Sequence, residues 1–418
     1  MSACSGPSGS GVLSSIGRAR DTQETGTQSF QVLHTFENGR DGADPSGSLL
    51  LVNDTAYGTT WNGGIGKYAV YNPDGTIFKI SIGGGHYRVL YRFAAHVPFG
   101  QRAYPDGGLV SDSDGNFYGT TNEGGPYAKG TVYKLSPRGR VITLHTFEGG
   151  PADGEYPRSK LLRDAKGNLY GTTEAGGSTG CYGAGCGTVF KIDKSGYESV
   201  LYAFAGDPAD GCVPYGGVVR DRQGNLYGTT TECGSAPCTM YYVCGIVYKI
   251  DPHGRETVLY RFTIDGAGGA GPDDTLLLDS NGALYGTTDA GGKADDGVVF
   301  KVDEHGNETV LYNFTAGSDG AAPFGGLVQD AAGNFYGTTE DGGGYACNNG
   351  NDCGTVFKLD ASGNERVLYR FTGKQDGADP VATLSIDSSE NLYGTTEYGG
   401  DDTCNYDLGC GVVFKLKP

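Results

Sequence analysis

The chain has 418 residues, 75 of them glycine, with 49 acidic side chains against 31 basic ones and a formal net charge of −18. That balance excludes unassisted nucleic-acid binding, which needs Lys and Arg clustered against phosphate. There is no run of 18 apolar residues to cross a membrane as a helix. An acidic surface suits a cation, a basic partner or a neutral sugar, or simply keeps a large protein dissolved.

Residues 1–27 are rich in Ser, Gly, Thr and Gln without periodicity and read as a disordered tail or tether. No complete signal peptide is visible. Ser2-Ala3-Cys4 resembles the last three residues of a bacterial lipoprotein box, without the apolar segment that precedes one. Cys4 is therefore a lipidation candidate or an ordinary tail residue, and both readings stand.

From residue 28 onward one unit repeats. Tyr-Gly-Thr-Thr occurs at Tyr57, Tyr118, Tyr170, Tyr227, Tyr285, Tyr336 and Tyr393. A complete unit reads as four strands, for example A over 326–330, B over 335–339, C over 354–359 and D over 366–371. Gly-containing turns such as Ala332-Gly333-Asn334 and Ser362-Gly363-Asn364 join A to B and C to D as tight hairpins. Strand C carries a Lys, as in Gly-Thr-Val-Phe-Lys, which reads as protection for a blade edge. Four short antiparallel strands in about 55 residues make a β-propeller blade. The first strand, 30–36, is a D strand with no A, B or C before it, and the last repeat ends after its C strand. The expected fold is all-β: a seven-bladed propeller over 28–418, closed by strand 30–36 pairing with 411–416. Closure removes the open ends of the repeat array that would otherwise aggregate, and a monomer is expected.

The A–B and C–D turns share one face and are short. The B–C and D–A loops share the other and vary in length, which makes that face the expected site of function. Ten of the eleven cysteines fall there. The expected disulfides are Cys181–Cys186, Cys347–Cys353, Cys404–Cys410, Cys238–Cys244 and Cys212–Cys233. For the fourth blade the alternative is 233–244 with 212–238, since sequence does not fix connectivity. A Cys₄ zinc site from residues 212, 233, 238 and 244 is the rival reading. The three other pairs, which lack further ligands, argue for disulfides and hence an oxidising, extracytoplasmic compartment. No metal ligand set is assigned.

Two acidic series recur on this face. One follows Tyr-Gly-Thr-Thr: Glu123, Glu174, Glu232, Asp289, Glu340 and Glu397, with Trp61 and Asn62 in the first blade. The other is the Asp of Asp-Gly in the D–A loops: Asp41, Asp106, Asp153, Asp210, Asp265, Asp319 and Asp376. An Asp before Gly commonly binds its own turn backbone, and sevenfold recurrence favours scaffold over catalysis. The functional alternatives are a carboxylate ring holding a calcium ion, or a carboxylate pair acting on a glycosidic bond. The singular residues are more informative: Trp61, His96, Arg102 and Tyr104 cluster around the first blade. Tyr127, Tyr182, Tyr241, Tyr242, Tyr345, Tyr398 and Tyr406 add aromatic surface suited to carbohydrate or to a protein partner. No phosphate loop, nucleophile elbow or dinucleotide motif implies a cofactor.

The set LYGTT, GTVFK and VLYxF at 50 to 60 residue spacing resembles the bacterial GloVer-type extracellular tandem repeat, a family of surface proteins with varied anchoring signals. The resemblance implies an exported, cell-associated propeller and brings no catalytic residues. The first reading is thus an extracellular or cell-surface binding module for a glycan or surface protein. The second is a polysaccharide lyase or glycoside hydrolase on the same face, and the third a protein interaction scaffold.

Overall fold

The computed structural model describes residues 29–64, 74–93, 103–206, 210–234, 244–263, 267–344, 353–401 and 408–418. Seven four-stranded antiparallel sheets stand in a ring, each with the strand order A-B-C-D that the repeat predicts. In the first blade these are Leu50–Val52, Thr55–Thr60, Thr76–Ser81 and Arg88–Arg92. The last sheet takes its D strand from the N-terminal side: Ser29–Thr35 pairs with Val412–Lys417, Ser29 opposite Lys417 and Thr35 opposite Val412. The proposed tail, including Cys4, lies outside the described residues.

The two strongest motifs are one packing unit. The Gly of Tyr-Gly-Thr-Thr lies directly opposite the aromatic residue of strand C, as with Gly337 and Phe357. A β-carbon at Gly337 would come within 2.6 Å of the Phe357 ring, and at Gly394 within 2.5 Å of Phe414. Glycine is there because the ring of the neighbouring strand occupies the space a side chain would take. The second Thr closes the same hairpin, Thr339 Oγ1 lying 2.9 Å from Thr355 Oγ1.

Blades are joined by aromatic rings. The Phe ending each D strand packs edge-on against the strand C aromatic of the next blade: Phe93 on Tyr133, Phe314 on Phe357, and across the closure Phe36 on Phe78. All of these rings are buried except Phe93, which is partly buried, and edge-to-face pairs add about 0.5–1.5 kcal/mol beyond their burial. Strand D does not alternate simply. Each C–D pairing carries a register shift, such as that between Val356 and Phe357, so one extra D residue is accommodated.

The strand C lysines do not guard an edge. Strand C is the third of four strands and is paired on both sides. Its Lys instead lies over the Tyr of Tyr-Gly-Thr-Thr, as Lys358 over Tyr336 at 5.5 Å and Lys415 over Tyr393 at 5.4 Å.

Six of the A–B turns are built by one aspartate each, while the first blade uses the two-residue turn Asn53-Asp54. Asp330 Oδ1 accepts the backbone N–H groups of Ala332 and Asn334, while Oδ2 accepts Asn334 Nδ2 at 2.6 Å and the Tyr336 hydroxyl at 2.9 Å. The short A strands line the axial channel, an apolar space of ≈ 870 Å³ bounded by side chains such as Leu51, Val110, Leu162 and Ile386.

Candidate functional site

The D–A loops align on seven prolines: Pro45, Pro105, Pro157, Pro214, Pro272, Pro323 and Pro380. Each packs over the positive-φ glycine that opens strand C of the preceding blade. A β-carbon on Gly297 would meet Pro323 at 2.6 Å, and one on Gly354 would meet Pro380 at 2.7 Å. The residue before each proline has positive φ: Asp44, Tyr104, Tyr156, Val213, Gly271, Ala322 and Asp379. Six of these seven are not glycine, although a residue preceding proline normally prefers extended backbone. Its carbonyl accepts the N–H of the first residue after Tyr-Gly-Thr-Thr, as in Trp61 to Asp44, Glu340 to Ala322 and Glu397 to Asp379. The strained turn thereby sets the D–A loop beside the end of strand B in every blade.

This arrangement aims the residue after each proline at the ring axis. These residues are Ser46, Asp106, Arg158, Tyr215, Asp273, Phe324 and Val381, and all seven line a basin of ≈ 520 Å³ above the axial channel. Trp61, Glu340 and Glu397 complete the wall, and Lys160, Asp274 and Thr383 lie at the junction with the channel. One sector is aromatic and cationic. The Arg158 guanidinium lies over the Trp61 ring at 5.2 Å and the Tyr215 ring at 5.3 Å, and Trp61 stacks on Tyr104 at 4.6 Å. Arg158 Nε donates to Asp106 Oδ2 at 3.1 Å, and Ser46 donates to the other Asp106 oxygen at 2.5 Å.

The remaining sectors hold carboxyl groups close to their own kind. Burial raises Glu340 to about 7, with repulsion from Asp341 and Glu397 adding to it. Asp289 rises to about 7, again chiefly by burial. Asp273 is raised well above the carboxylate range by burial and then by Asp289, while a hydrogen bond from Thr231 Oγ1 at 2.6 Å works the other way. Asp44 and Asp379, in the strained turns, are each raised by burial to about 7. Burial lowers Lys160, against the attraction of Asp274. Burial thus makes Glu340 and Asp273 hold their protons more tightly than ordinary carboxyl groups do.

Of the residues singled out in the sequence, Trp61, Glu340 and Glu397 line the basin. Tyr104 supports Trp61 from behind, and Glu174 lies 3.9 Å from Arg158. Asp289 acts on Asp273. Glu123 and Glu232 occupy the second position after Tyr-Gly-Thr-Thr and do not line the basin; Glu232 instead pairs with Cys212 in a two-residue ladder. His96, Arg102, Asp265, Tyr241, Tyr242, Tyr345, Tyr406 and the side chain of Tyr182 lie outside the described residues.

Asp106 does not belong to the Asp-Gly turn series. It stands after its proline and lines the basin, whereas Asp41, Asp210 and Asp376 bind the backbone of their own loops. The sequence reading missed Arg158, Tyr215, Asp273 and Asp274. A signal for them was present: in loops that otherwise repeat, the residue after proline differs in almost every blade.

Cysteines brace these loops. Cys181–Cys186 and Cys212–Cys233 are formed, which removes both the 233–244 alternative and the four-cysteine zinc site. Cys244, Cys353 and Cys410 are each disulfide-bonded. Their expected partners Cys238, Cys347 and Cys404 lie outside the described residues. The carbonyl of Cys186 accepts the N–H of Val213, and that of Cys353 the N–H of Asp379, so the bridged loops also latch one blade to the next.

Fold and basin together define a seven-bladed β-propeller with a polar site on its axis. The chain belongs to the family described as the Gloeobacter/Verrucomicrobia repeat, whose model matches residues 2–185 and 183–403. No curated protein matches it. Among solved structures it is similar to the extracellular domain of a one-component system from B. thetaiotaomicron, with 10% identity and a TM-score of 0.55. That match covers 92% of this chain and 40% of the other. A gluconolactonase matches at 12% identity and a TM-score of 0.39, covering 77% of this chain and 93% of its own. A chain of a nidogen/laminin complex matches at 16% identity and a TM-score of 0.41, covering 71% and 92%. Among the described residues no helix is long and apolar enough to cross a membrane.

Proposed function

We propose that the protein is an extracytoplasmic, surface-associated binding module that takes a glycan into the axial basin. The observation that carries this reading is the Trp61–Arg158–Tyr215 stack set among carboxyl groups. Aromatic faces pack against the C–H faces of sugar rings, and carboxylates and guanidinium groups hydrogen-bond paired hydroxyls. A basin of ≈ 520 Å³ falls within the range of small-ligand sites. The disulfides support an oxidising compartment.

The test is native affinity electrophoresis of the full chain through gels holding soluble polysaccharides, with each polymer's length read afterwards. Retardation at unchanged length, lost in Trp61→Ala and Arg158→Ala, is the expected result. No retardation across neutral, acidic and amino-sugar polymers would overturn it and favour a protein partner. One observation favours a second reading, a polysaccharide-degrading enzyme. Glu340, raised to about 7 chiefly by burial, would carry a proton to donate at neutral pH. Shortened polymer, with shortening abolished in Glu340→Gln, would establish that reading instead.

A further inference from the structure

The seams between blades repeat a polar arrangement at their outer rim. A residue of strand D, the Asp of the D–A loop and the residue opening strand D of the next blade come together. At two seams this trio is Tyr202, Asp210 and Glu256, and Tyr312, Asp319 and Glu365. The tyrosine hydroxyl donates to the aspartate at 2.7 and 3.0 Å respectively. At the closing seam Tyr369 donates to Asp376 at 3.0 Å, and Phe30 stands where those two seams have Glu. Between the second and third blades the trio is His145, Asp153 and Glu198.

Replacing the phenol with an imidazole changes what the seam can do. Phenol hydroxyls satisfy the aspartate by donating a proton. Nε2 of His145 is buried, meets no hydrogen-bond partner in good geometry, and lies 3.4 Å from Asp153 Oδ2. Oε1 of Glu198 is buried and without a hydrogen-bond partner as well. Ligand atoms of all three side chains lie within 4.8 Å of one another. The other imidazole seam lacks the third ligand: His34 lies 3.3 Å from Asp41, but Tyr87 stacks on the ring at 3.7 Å in place of a carboxylate.

We propose that His145, Asp153 and Glu198 form a divalent transition-metal site, with Zn²⁺ as its ion, that clamps the second blade to the third. One neutral imidazole and two carboxylates balance the ion's charge and suit zinc, which takes mixed nitrogen and oxygen ligands at about 2.0–2.2 Å. Tetrahedral bonds of that length separate neighbouring ligand atoms by about 3.3 Å, and the His145–Asp153 pair stands at 3.4 Å. A ligand atom of Glu198 lies within 4.8 Å of both. Asp153 is held in position from behind, Oδ2 by the N–H of Glu148 at 2.8 Å and Oδ1 by that of Gly154 at 2.7 Å. Such outer contacts are what orient ligating carboxylates. Three protein ligands leave the fourth position to water.

The experiment is calorimetric titration of EDTA-stripped, dialysed full-length protein with Zn²⁺, together with thermal melts with and without the ion. The expected result is one equivalent bound per chain and a thermal midpoint that rises with zinc. His145→Tyr installs the residue that other seams already use, so it folds, loses the stoichiometric binding and melts independently of zinc. Glu198→Gln weakens binding at least tenfold and gives a second reading should the first variant fold poorly. An imidazolium held between two carboxylates, with no ion, predicts no uptake by the wild type, and that result overturns the proposal. So does uptake that His145→Tyr and Glu198→Gln leave unchanged, because the ion would then sit elsewhere.

Discussion

Tyr248 stands at the strand C position where most blades carry phenylalanine, and its hydroxyl is buried without a hydrogen-bond partner. Burial drives its ionisation far above the ordinary range. An unsatisfied buried hydroxyl costs about 1–3 kcal/mol. Tyr248→Phe is therefore expected to raise stability by about 1 kcal/mol in chemical denaturation, and a loss of stability would show that the hydroxyl has a role in the fold. The strained turns give a second residue-scale prediction. Ala322, the residue before Pro323, has φ 48°, in the left-handed region that an L-residue disfavours. The left-handed region costs an L-residue about 1–2 kcal/mol that glycine does not incur, less what glycine loses in the unfolded chain. Ala322→Gly should leave stability unchanged or raise it by up to about 1 kcal/mol, whereas the same change at an extended position would lower it.

At the scale of the strand, Tyr-Gly-Thr-Thr and the strand C motif constrain each other. Gly337→Ala places a methyl group against the Phe357 ring and should cost about 1–3 kcal/mol by overpacking. Combined with Phe357→Leu, which opens that space, the cost should be less than the sum of the two single changes. A strictly additive double-mutant cycle would contradict the packing argument. The same logic explains why both motifs recur in every blade. Neither strand fills the hairpin alone.

At the scale of the ring, closure and charge decide stability. The strand Ser29–Thr35 supplies the last sheet's outer strand, and Phe30 stacks on Tyr369 at 3.8 Å while Phe36 meets Phe78 at 5.4 Å. Deleting residues through 36 exposes the edge of Val412–Lys417 and should yield aggregated protein, read by size-exclusion chromatography.

The pH dependence has two opposed parts. Asp251, held down to about 2 chiefly by the backbone N–H of Arg255, contributes stability that is present above the unfolded aspartate value of about 4 and lost as pH falls towards 2. Asp44, Glu340 and Asp379, raised by burial to about 7, act in the other direction. They bind protons more tightly when folded, so stability falls as pH rises from about 4 to about 7. The thermal midpoint should peak at mildly acidic pH and decline towards neutrality. A midpoint that climbs steadily from pH 4 to pH 7 would contradict this.

The sequence by itself determined the blade count, the strand order and the closing pair. These depend on local periodicity and on motifs that must recur because every blade solves the same packing problem. It also marked Trp61, Glu340 and Glu397, since each departs from or completes a repeated series. It did not separate Asp106 from the Asp-Gly turns, nor join Arg158 to Trp61 and Tyr215. Those residues come from different blades, far apart in the chain, and only ring closure brings them over one axis. The strained turn before each proline fixes that direction, and its positive φ depends on contacts with the neighbouring blade rather than on the local residues. The tertiary structure alone therefore decided which side chains share the basin, and it set His145 against a carboxylate 53 residues further along the chain.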